Sequence, residues 1–115
     1  MEDVKILETQ EFEVEIYGQT IEVCNVNFED PETNARVLCS EKTNGRLRLM
    51  LDLSKINASI IVHEAVHIAI FICEKLGLYF DTDKHEHFAY LVEFIFDKIV
   101  EIVEEMRKNH ENIKP

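Results

Sequence analysis

From Asn57 to Leu76 the chain is almost continuously apolar, yet three polar side chains are set into the middle of that stretch: His63, Glu64 and His67. Around them, Ile60, Ile61, Val62, Ala65, Val66, Ile68, Ala69, Ile70, Phe71 and Ile72 leave no wide polar face, so a helix here must be covered on more than one side. Ser54 or Asn57 can cap its start, and Gly77 can supply the left-handed residue at its end. The run from Ile60 to Cys73 is too short to span a bilayer and is interrupted by ionisable groups. The stretch therefore predicts a buried helix of a globular protein within residues 54–77.

The segments on either side predict the layers that cover it. Val4, Ile6 and Leu7 form a short apolar segment, and Phe12, Val14 and Ile16 then alternate with Glu11, Glu13 and Glu15, the period of a strand with one wet face. Tyr17-Gly18-Gln19-Thr20 reads as a turn into a returning strand carrying Ile21, Val23 and Asn25. Residues 30–34 are a loop by composition, residues 36–40 a further strand, Asn44-Gly45 a type I′ hairpin signal, and Arg46–Leu53 another strand. After residue 77 the period becomes helical again. Asp81 to Asp83 offer caps, and Phe88, Leu91, Val92, Ile95, Phe96 and Ile99 line a long helix over about 84–108, with a tail after Asn109 expected to fray.

Strands first and helices after predict an α+β fold in one domain. Its parts are a small antiparallel or mixed sheet of four to five strands over 1–53, the histidine-bearing helix over 54–77, and a long C-terminal helix over 83–109. The long helix carries more apolar residues than one small sheet and one helix can cover, which points to a homodimer built on it.

Composition narrows the partners. The 115 residues suit one core. Twelve basic against 23 acidic residues give a formal charge of −11, which repels phosphate backbones and anionic lipid, so neither nucleic acid nor membrane is an expected partner. Cys24, Cys39 and Cys73 are odd in number and form no C-x-x-C pair, as expected of reduced thiols in a cytoplasmic protein. The acidic start Met1-Glu2-Asp3 is unlike the basic beginning of a secretion signal.

His63-Glu64-Ala65-Val66-His67 has the spacing H-E-x-x-H. A four-residue step on a helix stacks two imidazoles one turn apart, where they can share a Zn2+ ion, and it leaves the glutamate beside the metal's open side as a base for bound water. Hydrogen bonds alone are the alternative account, but each buried polar group left unsatisfied costs about 1–3 kcal/mol. A third ligand six residues on is ruled out, because Ile70 and Cys73 occupy the glycine and ligand places of that arrangement. A glutamate on a second helix is available in Glu86, nineteen positions after His67, and Ala89 one turn later is small enough to let two helices approach.

His63–His67 followed by Glu86-His87-Phe88-Ala89 resembles the H-E-x-x-H…E-x-x-A pattern of gluzincin-type zinc metallopeptidases, in particular very short single-domain members that include phage and prophage proteins. The likeness covers roughly residues 55–95. It implies a zincin-like fold, zinc held by His63, His67 and Glu86, Glu64 as general base, and an extended peptide or protein substrate lying along the Arg46–Leu53 strand as an edge. The chain departs from the larger members at Tyr90, where they carry Asp, and no second lobe like theirs is expected from these 115 residues.

Alternatives stand at several positions. His85 or His87 can replace Glu86 as ligand or donate to a tetrahedral intermediate, and both also suit a solvated first turn. Asp83 with Glu86 fits a capping box. Tyr90 can hydrogen-bond an oxyanion and Glu93 can orient a histidine ligand, unless both simply belong to a polar helix face. The expected function is zinc-dependent peptide-bond hydrolysis. A non-catalytic, phage-derived binding or assembly protein with a structural or vestigial metal is the alternative, and a metal-free helical dimer is a third.

Overall fold

The computed structural model describes residues 4–39, 46–78 and 85–113. The predicted hairpin tip at Asn44-Gly45 and the capping residues 81–83 lie outside them. The fold is α+β: a four-stranded mixed sheet followed by two helices, the second long.

The two N-terminal apolar segments join into one strand, β1 (Val4–Val14), whose register slips between Ile6 and Glu8 at a bulge. It pairs antiparallel with β2 (Gln19–Phe28). Strict alternation would carry Ile16 inward. Instead Glu15–Tyr17 forms a single 3-10 turn, closed by Gly18 at φ 62 with its N–H donating to the Glu15 carbonyl at 3.0 Å. The turn throws Ile16 outward to 84% exposure and brings Tyr17 against the core.

The chain then crosses to β3 (Ala35–Cys39) and returns as β4 (Leu47–Leu51), which inserts between β2 and β3. The order is β1-β2-β4-β3, with β4 parallel to β2 and antiparallel to β3. This corrects the expectation that Arg46–Leu53 forms a sheet edge. Its central residues are Leu47, Leu49, Met50 and Leu51, all buried, and a strand that apolar on both faces belongs inside a sheet. The edge next to α1 is β3, and β1, at the other edge, lies against α2.

One sheet face carries Phe12, Val14, Ile21, Val23, Leu47 and Leu49 and is covered by α1 (Ala58–Lys75) and α2 (His85–Ile113). α1 contributes Ile61, Ala65, Ile68, Ala69 and Ile72. From α2 come Leu91, Ile95, Ile99, Val103 and Met106. The helix continues to Ile113, past the expected fraying point at Asn109.

The opposite sheet face is apolar at one end, around Cys24, Val26, Phe28 and Met50. Its other end is charged. Glu11 and Glu22 sit directly opposite each other on β1 and β2, and the repulsion is relieved by Arg46, 3.3 and 4.0 Å from them, and by Arg48, 3.1 Å from Glu22.

Two polar side chains hold the approach to α1. Asn25, buried on β2, accepts the Leu53 N–H at 3.3 Å as the chain leaves β4. Arg107 of α2 donates to the carbonyls of Leu53 and Ile56 at 3.2 and 3.0 Å. No helix among the described residues is long and apolar enough to cross a membrane.

Candidate functional site

α1 is defined sharply at both ends. Asn57, in extended conformation, accepts the Ile60 N–H at 3.0 Å through its side-chain oxygen, so the second of the two expected caps is the one used. At the other end Gly77, at φ 67, donates to Glu74 and Leu78 donates to Cys73, the paired bonds of a Schellman motif. The buried stripe through Ile61, Ala65, Ile68 and Ile72 then fixes the rotation of the helix. His63 and His67 emerge on the exposed side and Glu64 turns inward.

The two imidazoles meet edge to face, ring centres 4.8 Å apart, with Nε2 to Nε2 at 3.2 Å. Two zinc–nitrogen bonds of roughly 2.0–2.1 Å at a tetrahedral angle set their donor atoms about 3.3–3.4 Å apart. The 3.2 Å contact is a hydrogen bond between the two rings, and it is also close to the separation of two ligands on one ion. Glu64 is only 9% exposed. Loss of hydration holds its carboxyl above the ordinary glutamate range, opposed by the nearby His67 and then His63.

His63 and Glu64 share a hollow of about 510 Å³ with β3 and the loop before it. That loop is shaped by Asp30, which accepts from the Glu32 N–H and the Thr33 hydroxyl, both at 3.0 Å. These bonds also hold the Asp30 carboxyl below its usual range. The loop is tied to the approach to α1 by Asp52 N–H on the Asn34 carbonyl at 3.0 Å and by Lys55 on the Pro31 carbonyl at 2.9 Å. An extended edge strand thus runs past a histidine and a sheltered carboxyl, an arrangement invisible in the sequence because β3 and α1 are separated by β4.

The second helix divides its candidates between two faces. Ala89 and Glu93 face α1 across a hollow of about 420 Å³ that they share with Ser59 and Val62. Glu86 precedes them by one and two turns on the same stripe. Its side chain is 70% exposed and lies 3.9 Å from the His85 ring, and no group of three His, Cys, Asp or Glu side chains among the described residues converges to hold a metal ion. The spacing of His63 and His67 is compatible with two donors to one ion, and Glu86 stands on the facing helix without joining them. His87 and Tyr90 point elsewhere, into a separate hollow against the β1–β2 turn.

Compared with protein-family models, curated proteins and solved structures, the chain matches none.

Proposed function

We propose that this protein is a metal-dependent hydrolase of peptide bonds, acting in the cytoplasm, with His63, His67 and Glu86 as zinc ligands and Glu64 as general base. The observation that carries this reading is the histidine pair, spaced for one ion, with a sheltered carboxyl beside it in a hollow walled by an open strand edge. Zinc, when bound there, would lower the pKa of a coordinated water from about 15.7 toward 7.

The chain's own groups do the rest. Glu64, desolvated and next to the histidines, is suited to take a proton at neutral pH and return it to the leaving amine. Among the described residues β3 has one unpaired side, so an extended peptide can add to it as a further strand and be carried past Glu64. Glu86, on the α1-facing stripe, would be the third donor to the metal.

The test is zinc titration and peptide hydrolysis of the wild type, His63→Ala, Glu86→Gln and Glu64→Gln. The histidine variant should lose zinc, Glu86→Gln should bind it more weakly, and Glu64→Gln should keep zinc with hydrolysis abolished. Hydrolysis by Glu64→Gln at the wild-type rate would refute the mechanism.

The exposed position of Glu86 favours one second reading, a non-catalytic assembly protein with a structural metal. Tight zinc binding by a wild-type chain that cleaves no peptide would select it.

A further inference from the structure

We infer that the hollow between the β1–β2 turn and α2 is a docking site for a basic, apolar-anchored peptide segment of a partner protein. It lies beside β1, at the opposite sheet edge from the β3 groove that holds His63 and Glu64, and the inference does not depend on a metal.

The hollow measures about 620 Å³. Three large side chains stand in it exposed: Ile16 at 84%, Tyr90 at 65% and Phe94 at 39%. Ile16 is there because the 3-10 turn breaks the strand alternation that would have buried it. Tyr90 and Phe94 lie one turn apart on α2 and face the same space. Two elements distant in sequence therefore present apolar surface to one opening, and Leu91 closes its floor.

The charge around the opening selects the occupant. Glu13 and Glu15 line it together with His87 and Lys98, and neither glutamate has an ion pair among the described residues. The one lysine at the site, Lys98, is already matched on its own helix: its ammonium is 3.8 Å from Glu101 and 5.7 Å from the centre of the Phe94 ring. With a chain charge of −11, a second copy meets repulsion, whereas a cationic segment is attracted. A large apolar side chain seated between Ile16, Tyr90 and Phe94 would place flanking lysines or arginines within reach of Glu13, Glu15 and the aromatic faces.

The probe is a fluorescein-labelled peptide with Phe-Leu between lysine pairs, titrated with the full chain by fluorescence anisotropy. Two controls replace the lysines by glutamates or the Phe-Leu by alanines. The lysine peptide should bind at least about tenfold more tightly than either control. The double variant Ile16→Ser/Tyr90→Ser, at two mostly exposed positions, should keep the wild-type circular dichroism and thermal melt while losing affinity by about tenfold or more. His63→Ala/His67→Ala should bind as the wild type does. Binding unaffected by the Ile16/Tyr90 change, equal binding of the alanine peptide, or no binding would each overturn the proposal. So would a wild-type dimer in sedimentation that the same double variant dissociates, because the surface would then belong to a second copy.

Discussion

Glu64 is the residue at which sequence and environment interact most directly. The motif places it between two histidines, and the rotation of α1 decides that it faces inward while they face out. Its folded-state pKa is raised, so the folded chain holds this proton more tightly than the unfolded one. Stability is then lost as pH rises from the ordinary glutamate value, roughly 4.3, through the raised folded value, and is level above it. Glu64→Gln cannot ionise. In metal-free protein it should melt above the wild type at pH 7, with the gap closing as pH falls below about 4. A difference in melting temperature that is the same at both pH values would contradict the desolvation account.

Among the elements, α1 was largely legible beforehand. Asn57, Gly77 and the apolar positions between them act through contacts within a few residues, which sequence spacing encodes directly. Asn57→Ala removes an acceptor from the Ile60 N–H and should cost about 1 kcal/mol in denaturant unfolding. Gly77→Ala meets no atom within 4 Å, so its cost is the left-handed backbone alone, again about 1 kcal/mol. The two ends are separated by the length of the helix, so the double variant should lose about the sum. The β1–β2 turn was less legible. Period 2 placed Ile16 in the core, but Gly18 permits a tighter turn, and one helical residue triplet is enough to reverse the direction of a side chain.

In the whole molecule, both helices lean on one sheet face through a single cluster, so loss of volume there is felt across the fold. Ile99, fully buried on α2, is a suitable probe: Ile99→Ala should destabilise by about 2–5 kcal/mol in chemical denaturation. That is a large share of the roughly 5–15 kcal/mol of an ordinary domain. If the loss is under 1 kcal/mol, α2 is not packed as described. The long helix was expected to need a second copy to cover it. The sheet and α1 bury Leu91, Ile95, Ile99, Ile102, Val103 and Met106, and among the described residues of the helix Tyr90 and Phe94 are the exposed large apolar side chains left for any such partner.

By itself the sequence determined the fold class, the glycine end of α1 with two candidate starts, and the two-histidine motif, because hydrophobic period, capping and turn chemistry are local and each leaves a mark within a few residues. Only the tertiary structure decided which strand is the edge, since the insertion of β4 between β2 and β3 depends on pairing across many residues and on burial of both faces of Leu47–Leu51. The same holds for the meeting of β3 with His63 and Glu64, for the stand of Glu86 apart from the histidine pair, and for the gathering of Ile16, Tyr90 and Phe94 around one opening. Each joins residues whose separation along the chain carries no periodic signal, so only packing can bring them together.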